Sequence, residues 1–474
     1  MAVTVEKEAI FEREPIPRAV AALSVPTIIS SLVTVIYSMA DTYFVGLLNA
    51  PVQTAAVTLA APALLAFNAV NNLFGVGSSS MMSRSLGRKD METVRLSSAF
   101  GFYGALICGI LFSLLCTVFR PGLLGLLGAG AETISATSAY LDWTVTIGAV
   151  PAILNVVMAY MIRSEGASVN ASIGTMSGCL LNIALDPVFV LPWGFNMGAE
   201  GAGLATCISN CFALVYFLVY LMVKRGKSCV SISPRSFKLR RNVVLGVCTV
   251  GIPAAIQNLL NVIGSTVLNN LAAPFGASVL AAMGICSKIN MVPMYLAMGL
   301  AQGVMPLISY NFASGNTKRM KSAMGFTMKI AECLLIVTAA VMFFASNPLV
   351  RFFIEDADTV AFGSLFLRGF CLAQPFLAID FLCVSTFQAV GMGKESLFFA
   401  IMRKPVLEIP FMYLLNFLFP LYGLPFAQAL TEVFMAALAG VVMIRFLRRL
   451  KAGGSGSSEK GSATGLGMKK PDSD

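Results

Sequence analysis

Histidine is absent from all 474 residues, so no imidazole can relay a proton or ligate a metal in this chain. Charge is scarce: Asp, Glu, Lys and Arg together make up 12%, against about a quarter in a soluble globular domain. That shortage excludes an ordinary water-soluble fold. The eleven cysteines contain no Cys-x-x-Cys pair. Cys207 and Cys211 share a helix face without further soft ligands nearby, so the thiols read as small packing residues kept reduced. Met1 to Arg18 mixes Glu with Lys and lacks an apolar core with a cleavage site, so no removable signal is expected.

What is abundant is apolar sequence, 57% of the chain, with a mean hydropathy of +0.80. A helix needs ~20 apolar residues to span a bilayer. About twelve segments qualify, near 19–45, 55–81, 97–119, 136–162, 170–191, 200–223, 243–269, 278–308, 323–346, 360–391, 396–419 and 424–446. Some exceed one bilayer thickness and imply tilt or protruding ends. The net charge of +10 sits in the loops after even-numbered spans: Arg84, Arg88, Lys89 and Arg95; Lys224 to Arg241; Lys318, Arg319 and Lys321; Arg445 to Lys451. Odd-numbered exits hold little beyond Arg120 and Arg351. This is a positive-inside pattern, predicting both termini in the cytoplasm and accounting for the basic balance without nucleic acid.

The two halves resemble each other. Val25-Pro26 in span 1 parallels Ile252-Pro253 in span 7, and the Arg84–Asp90 loop parallels Asn311–Thr317. Arg163–Gly166 parallels Gln388–Gly391. The expected organisation is a short N-terminal segment (1–18), a first lobe (19–223), a linker (224–242), a second lobe (243–450) and a polar tail (451–474). Six spans per lobe give parallel repeats, with binding expected near mid-membrane.

Against this background the intramembrane acids stand out, because a charged side chain at that depth is disfavoured by ~3 kcal/mol or more and normally faces a protein cavity. The first half has Asp41 and Asp186, the second Asp380 and Glu408. Asn182 and Asp186 are four apart and share a helix face. Pro187 has no N–H and leaves the Ile183 carbonyl without its helical donor. This oxygen set suits a hard cation or a proton. Two carboxylates in one dry cavity cannot both ionise cheaply and should titrate as a coupled pair.

Several segments together resemble the multidrug and toxic compound extrusion (MATE) family. They are Met39–Gly46, Arg163–Gly166, Asn182–Phe189, Gly201–Thr206 and Pro306–Asn311, in family order over roughly residues 15 to 450. The Asn-x-x-x-Asp-Pro segment is similar to the DinF-like branch. The resemblance implies an all-α membrane protein of twelve helices, in two pseudo-symmetric six-helix bundles facing each other as a V. It implies export of organic, often cationic, compounds against inward Na⁺ or H⁺, from the cell membrane, with no enzyme activity and no cofactor beyond the coupling ion. It adds Thr206 to Asp41, Asn182 and Asp186 as a site for a proton or Na⁺.

Asp380 and Glu408 are candidates for a second ion or substrate-charge site, and an ion pair with Lys288, the one cation in the middle of span 8, is the competing reading. Glu432 in span 12 has no evident partner. Arg84 and Arg163 read as topology and gating contacts at helix ends. Tyr37, Asn155, Gln257, Asn258 and Asn261 are candidates for a substrate cleft between the halves, and the 25 methionines suit an adaptable pocket. The expected partners are small organic substrates and lipids, and a monomer suffices. A lipid or lipid-linked-sugar flippase is the alternative transporter and would require a cleft lined by Arg and Lys. An intramembrane enzyme is disfavoured by the missing histidine and by the context of the aspartates.

Overall fold

The computed structural model describes residues 9–48 and 50–455, which are helical with no strand among them. Twelve helical passes follow in order, eleven of them apolar enough to span a bilayer by length and composition. They are α1 (Ile16–Gly46), α2 (Pro51–Gly87), α3 (Met91–Val118), α4 (Ile134–Ser164), α5 (Ser168–Val190) and α6 (Ala199–Val223). The second set is α7 (Arg241–Ala272), α8 (Ala277–Ala313), α9 (Thr317–Phe344), α10 (Ala357–Val390), α11 (Gly393–Leu418) and α12 (Leu424–Ser455). At 37 residues each, α2 and α8 are about 55 Å long, well beyond a ~30 Å hydrocarbon core.

Three passes are not simple helices. α4 bends by 48° around Gly148, just after the π-wound stretch Asp142–Ile147. α10 bends by 48° between Cys371 and Gln374, where Pro375 cannot donate a backbone hydrogen bond. α11 runs through a π-wound segment, Met402–Glu408, that contains Pro405. Such segments shift the facing of every side chain beyond them.

The first six passes pack into one bundle and the last six into another, joined mainly by α2 along α7 and α1 along α8. At the end carrying the basic loops, a single apolar core crosses the boundary, from Leu23, Met82 and Met158 to Val247, Ile308 and Leu382. At the other end each bundle has its own core, one around Tyr140 and Val190, the other around Phe366 and Leu424. The lobes are therefore welded at the basic end and diverge from it, so the cleft opens away from the basic loops.

Glycine permits the weld. A Cβ on Gly251 of α7 would lie 2.0 Å from the Leu73 carbonyl oxygen of α2. Polar contacts reinforce it: Ser80 Oγ donates to the Gln388 carbonyl (2.5 Å) and Arg84 Nη2 to the Gly246 carbonyl (3.4 Å). Close approach of small residues is the usual way membrane helices gain dispersion contacts. Residues 9–12 form a helical turn beneath this weld. Phe11 is buried there and stacks on Tyr310 at 4.9 Å, while Tyr310 Oη (2.6 Å) and Lys89 Nζ (2.9 Å) donate to Glu12 Oε1.

The irregular stretch between α6 and α7, apart from a 3₁₀ turn at Pro234–Ser236, is held by Glu165 at the end of α4. Its carboxylate accepts from the Cys229 backbone N–H (2.7 Å), Ser228 Oγ (2.9 Å) and Tyr220 Oη (3.3 Å).

Candidate functional site

In the first bundle, α1, α5 and α6 bring four sequence candidates together. Asp186 and Asn182 are essentially inaccessible to solvent. The Asn182 carboxamide satisfies both neighbours in one orientation: Nδ2 donates to Asp186 Oδ2 (2.8 Å), and Oδ1 accepts from Thr206 Oγ1 (3.2 Å) and Thr206 N–H (3.0 Å). Turned over, Nδ2 donates to Thr206 Oγ1 (3.2 Å) and Oδ1 faces Asp186, a geometry that fits only a protonated carboxyl. Asp41 and Asp186 lie within electrostatic reach of each other, and Tyr37 interacts with both and with the Thr206 hydroxyl. Asp41 Oδ1 and Asp186 Oδ1 are buried without a hydrogen-bond partner. Two orphaned carboxylate oxygens in one pocket are what a proton or small cation would satisfy. Tyr37 thus belongs to this pocket. Asn155, also a cleft candidate, lies inside the first bundle, donating to Asn210 Oδ1 (2.9 Å) and the Pro151 carbonyl (2.9 Å).

The second bundle differs from the sequence expectation. Lys288 does not pair with Asp380 or Glu408; it interacts electrostatically with Asp41, because α8 runs beside α1. The cations facing the second-bundle acids are Arg403 and Lys404, inside the π-wound part of α11. Arg403 Nη1 lies 3.5 Å from Asp380 Oδ2, while its Nη2 (2.5 Å) and Nε (2.9 Å) donate to Glu432 Oε1. Lys404 Nζ donates to Glu408 Oε1 over 2.6 Å, an i,i+4 pair. Glu432, without a partner in the sequence reading, is held by Arg403. Three buried acids meet two bases, and Asp380 Oδ1, Glu408 Oε2 and Glu432 Oε2 each lack a partner. A hydropathy reading passes over Arg403 and Lys404 because the flanking residues carry the window; the Arg403-Lys404-Pro405 triplet is the signal that could have marked them.

Between the bundles lies a half-open cavity. Gln257, Asn258 and Asn261 of α7 line it, as the sequence spacing allowed. So do Tyr160, Gln302 and Gln388, which sequence reading did not single out. Among the described residues, no Asp, Glu, Lys or Arg is in its wall. Directly behind that wall stands Arg163, 7% exposed, with Nη1 donating to Gln302 Oε1 (3.2 Å) and its guanidinium 5.6 Å from the Tyr160 ring centre. Its Nε has no partner, and among the described residues no carboxylate pairs with it. The end of α4 offers it ~0.3–2 kcal/mol of dipole stabilisation and the ring ~0.5–2 kcal/mol. Removing a guanidinium from water costs several kcal/mol, so Arg163 is incompletely compensated.

Comparison with known proteins agrees with this architecture. The MatE family pattern matches twice, over residues 26–188 and 253–414, once in each bundle. The chain is 31% identical over 438 residues to the multidrug export protein MepA of Staphylococcus aureus (strain MSSA476), covering 92% of this chain and 95% of that one. MepA of Staphylococcus saprophyticus is also 31% identical with the same coverage. Among solved structures, an outward-facing multidrug resistance MATE family transporter of the MOP superfamily superposes with a TM-score of 0.88 at 24% identity, covering 93% of this chain and 98% of that one. A repeat matched in each half, and a relative aligned almost end to end, place this chain in the MatE family.

Proposed function

We propose that this protein is a secondary active exporter of small organic compounds, cationic ones among them, driven by inward H⁺ or Na⁺. As a member of a transporter family the chain is not an enzyme. The observation that carries the coupling is the pair of orphaned oxygens on Asp41 and Asp186 in one buried pocket, next to a cleft closed at one end only. An arriving proton relieves the repulsion between the carboxylates and lets the Asn182 amide turn. A Na⁺ instead needs the Asn182 oxygen as a ligand with Thr206 Oγ1. Either event changes how α1, α5 and α6 pack, and α1 carries the change to α8 and the second lobe.

In this reading the basic loops and both termini face the cytoplasm of a cell whose plasma membrane holds the protein, and the cleft opens outward. The lobes comprise residues 19–223 and 243–450, joined by the linker 224–242, and a monomer is the transporting unit. The relatives' name, multidrug export protein, supports a broad substrate range. The amide- and Met-lined cavity suits such breadth and lacks the Arg and Lys wall that a pyrophosphate-bearing lipid would require.

The test is dye efflux in inverted vesicles with Na⁺ and pH gradients imposed separately. Asp41→Asn and Asp186→Asn should each abolish gradient-driven efflux while expression is retained; wild-type rates in both variants would falsify the coupling scheme.

A further inference from the structure

Two polar stripes run from the acid pocket of the first lobe towards the basic end. On α1 the stripe is Thr27, Ser30, Thr34, Tyr37 and Asp41, at alternating steps of three and four residues. On α5 the same steps give Ser172, Thr175, Cys179, Asn182 and Asp186. That spacing puts each set on one helix face, as in the seam of a coiled coil. Thr34 Oγ1 meets Cys179 Sγ at 3.8 Å across an offset of 145 residues. Asp41 and Asp186, which interact electrostatically, have the same offset. Two contacts at one offset make α1 and α5 parallel and in register, so the stripes face each other layer by layer. Every one of the ten side chains ends in a hydroxyl, thiol, amide or carboxyl. The internal repeat does not demand this, because Leu268 stands in the second lobe where Asp41 does in the first, and Ile401 where Cys179 does.

The seam presents oxygen lone pairs. The hydroxyls of Thr27 (2.9 Å), Thr34 (2.9 Å) and Thr175 (3.1 Å) donate to carbonyls four residues back on their own helices. Their protons are thus committed to the backbone, and their oxygens remain acceptors towards the opposite helix. Hydroxyls serving as glue would instead donate across the seam. Ser172 and Ser168, four residues apart on the same face of α5, are each 1% exposed and their hydroxyls have no partner. Among the described residues, none from α1 or α5 lines the cavity between the lobes. We propose that the coupling cation, as Na⁺ or hydronium, leaves the Asp41–Asp186 pocket for the basic end along the α1–α5 seam, by a path separate from the substrate cleft. This rests on the coupling role proposed above for that acid pair. Layers about 5 Å apart let successive oxygens stand in for a hydration shell. Thr27 and Ser172, both buried, form the last facing pair of the ladder, about 21 Å along the helices from the carboxylates.

The test removes the oxygens of that layer without changing its bulk much, with Thr27→Val and Ser172→Ala singly and together. Dye efflux is driven by a Na⁺ or pH gradient in inverted vesicles, and dye binding is read by fluorescence anisotropy on the full chain in lipid nanodiscs. The double variant should lose about tenfold or more in maximal efflux rate. Its dye affinity, its melting temperature and the ion concentration that half-saturates efflux from the entry side should not change, because the layer is remote from both sites. Thr27→Ser, which keeps the oxygen, should keep the rate. Ser172→Ala deletes a hydroxyl that bonds to nothing in the fold, so a slower rate in that variant alone cannot come from misfolding. Wild-type maximal rates in the double variant, or losses of rate matched by losses of dye affinity or melting temperature, would overturn the proposal. Asp41→Asn separates the two readings. If it abolishes gradient-driven efflux while the double variant is unimpaired, only the seam is wrong; if it leaves efflux at the wild-type rate, the coupling role fails and the seam falls with it.

Discussion

Asn182 is the residue on which the first-bundle pocket turns, because it is bonded on one side to a carboxylate and on the other to the backbone and hydroxyl of Thr206. Asn182→Ala removes the hydrogen bond to the Asp186 carboxyl, a contact worth ~1.5–3 kcal/mol when that group is ionised. The expected result is a rise of about tenfold or more in the ion concentration that half-saturates dye efflux, with the maximal rate less affected. An unchanged half-saturation value would remove Asn182 from the ion site. The Asn182–Asp186 adjacency was legible because helical spacing fixes which residues share a face. The neighbourhood of Tyr37 and the association of Lys288 with Asp41 were not, since both depend on how α1, α5, α6 and α8 meet in space. Arg163 could be named from sequence, but its lack of a carboxylate partner could be known only from the packing around it.

At the level of elements, hydropathy found twelve passes because spanning a bilayer demands long apolar runs, and it missed the interruptions because kinks hardly alter composition. α11 shows the consequence. Its π-wound turn places Arg403 against Asp380 of α10 and Glu432 of α12, and that cluster ties three passes together. Removing one partner of a buried ion pair leaves unpaired charge and costs ~3–5 kcal/mol. Arg403→Ala should therefore lower the melting temperature of the purified protein markedly. Adding Glu432→Gln to that variant should recover part of the loss, since the two sites are directly bonded and their effects should not add. Additive losses in the double variant would mean that Arg403 contributes packing rather than charge. The experiment also separates a structural lock from an ion site: a lock predicts that Glu432→Gln alone is destabilising and indifferent to Na⁺.

For the whole molecule, the decisive feature is that the largest apolar core spans both lobes at the basic end, while at the other end each lobe has its own, so opening the basic end must break a defined set of contacts. The turn at residues 9–12 is one of them. Glu12 bridges Lys89, after α2, and Tyr310, near the end of α8, and so touches both lobes. The Tyr310 hydrogen bond, with Lys89 second, holds the Glu12 carboxyl below the ordinary carboxylate range. A depressed value means the contact is fully present above the free pKa of ~4.3 and is lost only as pH falls through the lower bound value. The closed end should thus be insensitive to pH between about 5 and 8, leaving pH response to the intramembrane acids. Being partly exposed and screened, the Glu12 pair contributes modestly, whereas Phe11, buried and stacked on Tyr310, carries more. Phe11→Ala should loosen the weld by ~3–5 kcal/mol, the range for truncating a buried aromatic. Hydrogen–deuterium exchange would then accelerate together in residues 80–90 of α2 and its exit loop and in 307–316 of α8, at both pH 6 and pH 8, while Glu12→Gln gives a smaller change in the same direction. Unaltered exchange in either segment would show that residues 9–12 ride on one lobe rather than fastening the two.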